Sequence, residues 1–460
     1  MQKLTFKEKI GYGSAGIGDS VSYNLVGLFL MFFLTNVAGV EPVTAGTITA
    51  VGAVWNAAFN PVMGYFSDGV RTRFGRRRPV IFCFAIPLAL TSVLLYTTVD
   101  FPYILKAVYY GIMIMLFWTC YTGFFVPYLA LGVDYTGDYE DRTILRLFTS
   151  MFNMFGALIS MALPTVLVQA LVTAGLSTET AWTVMAGILG VISTVSIMIT
   201  VAVSGTKDPP CPRENGEKRE KKKITAIFAE YLSVARLKPM KHLVVASVAG
   251  LIDYSMMMSN LVYYLTYVHG ADAGGVSGFM ALRAIVGMAL IPIVGRLALK
   301  FDRRQTLIGF NLLGTALMVL LRITGTTGTF TIVLYLFSVA ISTCVYWHLM
   351  PSIYYDVCDY DRLQTGNRRE GAIVSFQGLI EAVAAGCGNL LLGVILQMAG
   401  FDGSAAVQSE KAMFWIENAG TVIPVIFLII SSIAVYRYPI TKTVHAEIRR
   451  QLAERDRDGQ

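Results

Sequence analysis

The chain has 460 residues, of which 55% are apolar and only 15% charged, and its mean hydropathy is +0.59. A water-soluble protein of this size needs roughly a quarter of its residues charged, so this composition excludes a string of soluble domains and places the chain in lipid. The 26 Phe, 23 Tyr and 20 Met exclude disorder. A net charge of +7 does not indicate a nucleic-acid partner, because the basic stretches alternate with long apolar runs and never form one basic face.

Each crossing of the hydrocarbon needs about 20 mainly apolar residues, and twelve runs meet that length. They lie near 10–40, 42–67, 79–98, 102–133, 144–174, 180–204, 242–269, 275–299, 305–323, 329–357, 371–399 and 411–436. The first carries Asp19 and Asn24, which makes it too long and too polar for a cleaved leader. The six cysteines lie mostly inside these runs and never at C-x-x-C spacing, which argues against disulfides and zinc; no metal site and no cofactor is expected. Enzyme signatures such as G-x-S-x-G, a P-loop or H-E-x-x-H are lacking too. The glycines between Gly13 and Gly18 sit inside a membrane helix, where they signal close helix packing.

Between the sixth and seventh runs stands the polar stretch Lys207–Lys241, including PPCPRENGEKREKKK. It divides the chain into a six-helix bundle at 1–206, a linker at 207–241, a second bundle at 242–437 and a tail at 438–460. Lys and Arg are retained on the cytoplasmic side of short loops. With both termini cytoplasmic, that side receives Lys3, Lys7, Lys9, the Arg71–Arg78 cluster, the linker bases, Arg303, Arg304, Arg368, Arg369 and the tail bases, whereas the outer loops keep only Lys106, Arg322 and Lys411. The expected location is a bacterial plasma membrane.

The two halves repeat. Gly64-Tyr-Phe-Ser-Asp68, followed by Arg73-Phe-Gly75-Arg76-Arg77-Arg78, stands after the second run; Gly295 with Lys300, Asp302, Arg303 and Arg304 stands after the eighth, 231 positions on. Duplicated six-helix bundles are a transporter architecture with its site between the halves near the midplane. This loop resembles the signature of the major facilitator superfamily, and the resemblance implies an all-α major facilitator fold of twelve transmembrane helices in two pseudo-symmetric bundles.

A second resemblance is narrower. The segment Asp356-Val-Cys-Asp359-Tyr-Asp361-Arg362 through Arg368-Arg369-Glu370-Gly371 is similar to the signature after helix 10 of the glycoside-pentoside-hexuronide:cation symporters, the melibiose permease-like family. Gly11-Tyr-Gly13, Gly18-Asp19, Trp55 to Pro61, Val126-Pro-Tyr128 and Trp347 support it along the whole chain. The resemblance implies cation-coupled import of a sugar or glycoside-like solute by alternating access. Within the family, carboxylates on helices 2 and 4 hold the sodium or proton; the matching positions here are Asn56, Asn60 and Phe125, none of them an acid. Thr149 and Ala382 stand where the family's helix 5 arginine and helix 11 lysine are expected. The coupling ion is therefore open, with a proton favoured over sodium.

Other ionisable groups lie in the apolar runs, where each is costly and hence a functional candidate. Asp19 and Asp253 are 234 positions apart, nearly the repeat offset, and are expected to face each other's bundles; Asp253 and Glu381 join Asp19 as ion-coupling candidates. Arg283 is expected to bind an anionic group or pair with Asp253. Asp19, Tyr23, Asn56, Asn60, Arg283, Trp347 and Gln377 form the predicted solute site, since ring faces stack on sugar C–H surfaces while amides and carboxylates bind hydroxyls. Tyr121 and His348 carry less weight. The predicted cytoplasmic gate is Gly64, Asp68, Arg73, Gly75, Arg76, Asp302, Arg303, Asp359, Arg369 and Glu370. Two other functions fit the same residues: a uniporter or exchanger for an organic anion or amphiphile, and a non-transporting sensor or scaffold docking through the linker. The expected partners are a small solute, a coupling cation and the bilayer, with no nucleic acid; a monomer suffices.

Overall fold

A computed structural model describes residues 4–458 apart from 73, 135–138, 207–230, 232, 326–327, 367–368 and 406, and their side chains apart from 68, 133–134, 139–143, 329, 370–371 and 456–458. The helices are α1 Phe6–Asn36, α2 Pro42–Gly69, α3 Arg78–Leu95, α4 Tyr103–Asp134, α5 Tyr139–Thr173, α6 Thr178–Val203, α7 Lys238–Val268, α8 Ala273–Lys300, α9 Arg303–Thr324, α10 Thr329–Thr365, α11 Glu370–Ala399, α12 Glu410–Tyr436 and α13 Lys442–Asp458. Eleven of the first twelve contain stretches long and apolar enough to cross a membrane. The other is α2, whose 28 residues are long enough but whose apolar stretch is diluted by Asn56, Asn60, Thr44, Thr47 and Thr49. A wide π turn interrupts α1 at Leu25–Phe29 and another ends α7 at Tyr264–Val268, features that the sequence did not disclose.

Compactness groups α1 to α6 with Met258–Ala284 and Asn389–Trp415 in one unit. The second unit holds α7 as far as Met257, Ile285–Gly388, and the chain from Ile416 through α13.

In the first unit, α1 starts at a capping box: Glu8 N–H donates to Thr5 Oγ1 at 3.3 Å, while Thr5 N–H donates to Glu8 Oε2 at 2.8 Å. It then packs on α5 and α6. Its small residues permit backbone-level approach. A Cβ at Gly16 would stand 2.7 Å from the Thr149 carbonyl oxygen and 3.0 Å from Asn153 N, and one at Gly156 would stand 2.7 Å from the Ile17 carbonyl oxygen. With so little space, hydroxyls carry the polar contacts: Ser14 donates to the Ser196 carbonyl at 3.0 Å and Thr200 to the Gly11 carbonyl at 2.7 Å. The same unit contains a tight seam. Thr35 Oγ1 and Tyr263 Oη are 2.7 Å apart, Asn36 Nδ2 donates to Tyr267 Oη, and Val43 N–H donates to Gln397 Oε1 at 3.1 Å. A Cβ at Gly46 would meet the Asn389 carbonyl oxygen at 2.8 Å.

In the second unit α9 packs on α10 and α12, and α13 lies on α10. Its core runs from Leu243 and Leu251 through Tyr346, Met350 and Tyr354 to Val435 and Tyr438. The α7–α11 contact repeats that of α1 with α5: a Cβ at Gly388 would meet the Ile252 carbonyl oxygen at 2.6 Å and Ser255 Cβ at 3.0 Å, where one at Gly156 meets Ile17 and Ser20. The packing repeat of the first helices is thus Ile17 to Ile252 and Ser20 to Ser255, a shift of 235.

Gly16→Val should cost about 1–3 kcal/mol through overpacking. Gly111→Ala, on α4 with nothing near its would-be Cβ, should be neutral or stabilising by up to about 1 kcal/mol from helix propensity. Thermal unfolding midpoints of the two variants check this; equal midpoints would contradict the close approach.

Candidate solute and cation site

Asp19 is the centre of the first unit's polar chemistry. Both carboxylate oxygens are engaged: Tyr121 Oη of α4 donates to Oδ1 at 2.6 Å and Asn153 Nδ2 of α5 donates to Oδ2 at 2.8 Å. Asn153 reaches it because Gly16 and Gly156 let α1 and α5 approach so closely. Sequence reasoning missed Asn153, and the only signal for it was its place on α5 opposite the glycines of α1. Further aromatic rings cluster about Tyr121. Tyr23, part-exposed one turn along α1, meets Trp118 edge-on at 5.7 Å and lies 6.1 Å from Tyr121. Phe125 stacks on Tyr121 at 5.4 Å. An acid, an amide, phenols and ring faces are together the chemistry that binds a polyhydroxylated solute.

The positions matching the family's carboxylates are filled otherwise. Asn56 Oδ1 accepts from Thr122 Oγ1 at 2.8 Å, and Trp55 Nε1 donates to Thr119 Oγ1 at 2.9 Å, so this face of α2 is bonded to α4. Asn60, one turn on, is half-buried. Thr149, in place of the family's arginine, accepts a long bond from Tyr128 Oη at 3.4 Å. Arg283 is buried, with Nη1 3.8 Å from Met161 Sδ of α5.

In the second unit Gln377 Nε2 donates to Glu381 Oε1 at 2.8 Å, one turn apart on α11. Trp347 is part-exposed and meets Tyr254 edge-on at 5.6 Å. His348 is exposed, and its Nδ1 lies 2.8 Å from the Cys344 carbonyl oxygen of its own helix. Asp253 departs from expectation. It lines a cavity inside its own unit with Asn311, Ser342, Thr343, Tyr346 and Ser431. The reason is the packing repeat of 235, which makes Tyr254 the counterpart of Asp19 and Asp253 that of Gly18. One residue is about 100° around a helix. Gly18 faces Ser193 and Ser196 of α6, and Asp253 faces Leu428 and Ser431 of α12, each again 235 further on. Nor is the expected pair with Arg283 made through Asp253 Oδ1, which has no hydrogen-bond partner among the described residues.

Of the predicted gate, the side chains of Asp68, Arg73 and Glu370 lie outside the described residues. In the loop after α2, Gly75 has φ of +109°, a turn that favours glycine, and its N–H donates to the Thr72 carbonyl at 3.1 Å. Arg76 is half-buried beside it, and Arg77, not singled out in the sequence, donates to Ser67 Oγ at 3.0 Å. A Cβ at Gly64 would meet only Val126, at 3.8 Å, so no close approach depends on that glycine. The second unit builds a charge latch. Arg303 Nη1 donates to Asp356 Oδ1 at 2.9 Å, and His445 Nε2 lies 2.9 Å from Asp359 Oδ2. Arg369 Nε donates to Asp361 Oδ2 at 3.0 Å, and its Nη2 bonds Oδ1 in a bidentate pair. Asp302 caps α9 by accepting from Arg304 N–H and ties α13 through Lys442 N–H, both at 3.3 Å.

These features define a multi-pass membrane transporter of duplicated helical bundles. A model of the MFS/sugar transport protein family matches residues 11–442, and the chain belongs to that family. It lies within the glycoside-pentoside-hexuronide:cation symporters that its segment Asp356–Gly371, at the end of α10 and the start of α11, resembles. Among its relatives are the uncharacterized symporter YnaJ of Bacillus subtilis, 27% identical over 99% of this chain and 96% of the relative, and the isoprimeverose transporter of Lactiplantibacillus pentosus, 25% identical over 95% and 90%. The glucuronide carrier protein homolog of Escherichia coli is 23% identical over 97% and 95%. The crystal structure of nucleoside transporter NupG shares the fold, with a TM-score of 0.67 over 94% of this chain and all of the other, at 10% identity.

Two outcomes follow. Asp361, with 1% of its side chain exposed, pairs with Arg369, so Arg369→Ala should destabilise by about 3–5 kcal/mol by leaving a buried charge without its counter-ion. The loss of thermal midpoint should be far smaller for Arg450→Ala on exposed α13, where water screens the pair with Glu447. Tyr121→Phe and Asn153→Ala should be non-additive, with a coupling of about 0.5–3 kcal/mol in a double-mutant cycle on stability, because both bond one carboxylate.

Proposed function

We propose that the protein is a secondary transporter importing a sugar or glycoside-like solute by alternating access, with a proton as the coupling ion. The observation that carries this reading is the Asp19 carboxylate held by Tyr121 and Asn153 beside part-exposed Tyr23, in a membrane-helix bundle of the sugar transport family. Relatives named as isoprimeverose transporter and glucuronide carrier support a sugar-class solute. Proton over sodium is favoured because Asn56, Asn60 and Phe125 provide no charge to replace the hydration of a sodium ion at the family's cation positions.

In this reading Asp19 binds a solute hydroxyl and carries the proton, with Glu381 as a second carrier. Trp347 and Gln377 offer the second bundle the same ring-and-amide chemistry. The bundles at 1–206 and 242–437 rock, and both termini lie in the cytoplasm of a bacterial cell. The seam of Thr35 with Tyr263 and Gly46 with Asn389 then lies on the outer side, as a closed outer gate. The latch from Arg303 to Arg369 lies on the inner side.

A second reading, a uniporter or exchanger for an organic anion, rests on the buried guanidinium of Arg283. It predicts that Arg283→Ala abolishes binding of anions and spares neutral glycosides.

Proteoliposome uptake of glycosides and uronides separates these readings. An inward proton gradient should drive accumulation without sodium, and Asp19→Asn should abolish accumulation while leaving exchange of preloaded solute. A strict sodium requirement, or accumulation that persists in Asp19→Asn with Glu381→Gln, sinks the proton reading. Absence of flux for every solute class would favour a sensor.

A further inference from the structure

The cavity at Asp253 lies wholly inside the second unit, walled by α7, α9, α10 and α12. Its volume is about 10 Å³, the lower limit for a single water-sized occupant, so no solute molecule fits. Asp253 is 1% exposed, and its Oδ1 has no hydrogen-bond partner among the described residues. Among the described residues no lysine, arginine or histidine lines the space; the other titratable groups facing it are the phenols of Tyr254 and Tyr346, and α9 and α12 contribute none. An ionised carboxyl cannot stay in such a place without a compensating charge.

The remaining walls say which charge. Ser431 Oγ donates to the Ala246 carbonyl at 3.1 Å, Ser342 Oγ to the Ser338 carbonyl at 3.2 Å, and Thr343 Oγ1 to the Val339 carbonyl at 2.9 Å. These three hydroxyl protons are thus directed at backbone carbonyls, and the three oxygens keep lone pairs as acceptors, while the Tyr346 hydroxyl beside them has no hydrogen-bond partner among the described residues. Asn311 adds an amide, which can turn its oxygen to the space. Oxygen acceptors around one negative charge, in a chamber for one small occupant, are the ligand set of a hard monovalent ion. A proton on Asp253 would neutralise the charge but could donate to only one of the other oxygens, leaving the rest of the acceptor set unused. A divalent ion would leave an uncompensated positive charge, since no second carboxylate lines the cavity.

We propose that this cavity binds one dehydrated alkali cation, sodium or potassium, through the Asp253 carboxylate, the Asn311 amide oxygen and the hydroxyl oxygens of Ser342, Thr343 and Ser431. The site ties four helices of one bundle together and stands apart from the α2 and α4 positions. It goes beyond the proton-coupled reading and does not depend on it.

The test is thermal unfolding of the full-length protein in nanodiscs, titrated with sodium chloride or potassium chloride against choline chloride at constant ionic strength, at acid and at alkaline pH. One of the two cations should raise the midpoint saturably at alkaline pH. Asp253→Asn should lose that response, and Ser431→Ala should fold and weaken the apparent affinity by about tenfold, the loss of one ligand. The two salt arms identify the ion. A midpoint indifferent to both cations relative to choline, a response to pH alone, or a salt response unchanged in Ser431→Ala and Asp253→Asn would overturn the site. Should Asp253→Asn fail to fold, Ser342→Ala together with Ser431→Ala decides by the same readout. Proton-driven uptake is scored separately, so neither proposal falls with the other.

Discussion

A carboxyl group withdrawn from water among apolar helices must be met by donors, by a cation or by a proton, and this requirement organises the protein's polar interior. Asp19 is met by a phenol and an amide drawn from two other helices. Glu381 is met by an amide one turn away on its own helix. Asp356, Asp359 and Asp361 are met by Arg303, His445 and Arg369. These answers differ in what they leave available. A carboxylate locked in a bidentate guanidinium pair is structural, whereas one held by neutral donors keeps its charge for a ligand or a proton.

Meeting Asp19 from α5 demands that two helices approach to backbone contact. Small residues make that approach possible, and without a hydrophobic driving force between helices in lipid, such packing and the hydroxyl bonds beside it supply much of the association. Fold and site are therefore one problem in the first unit: Gly16 and Gly156 close the α1–α5 gap, and the same closure delivers Asn153 to the acid. Bulk at either glycine would move the amide before it unfolded the bundle.

Much of this was legible in the sequence. Apolar run length gave the helices, and Arg303, Asp359 and Arg369 stand in the sequence as gate candidates, though their pairings with Asp356, His445 and Asp361 do not. Asp19 stood out as an acid in a membrane helix. What escaped were properties of packing register. A shift of 234 positions paired Asp19 with Asp253, whereas the contacts of Gly156 and Gly388 repeat at 235 on the first helices of the two halves. That single residue turns Asp253 inward and puts Tyr254 where it can meet Trp347. Asn153 and the seam at Gly46 escaped for a related reason: each acquires meaning only from a neighbour more than a hundred residues away.

The same register explains how the two halves can differ in charge while sharing a scaffold. At Gly18 a side chain would collide with Ser193 and Ser196, so α6 lies tight on α1. At the corresponding Asp253 the chain carries an acid instead, beside a cavity for one small occupant that α12 helps to line, with Ser431 at the position of Ser196. The first half spends its equivalent space on helix contact, and its α2 and α4 face is closed by Asn56 with Thr122 and by Phe125 on Tyr121. Two bundles built on one repeat can thus differ by an acid pocket in one half alone, where aspartate stands at the single packing position that glycine holds in the other.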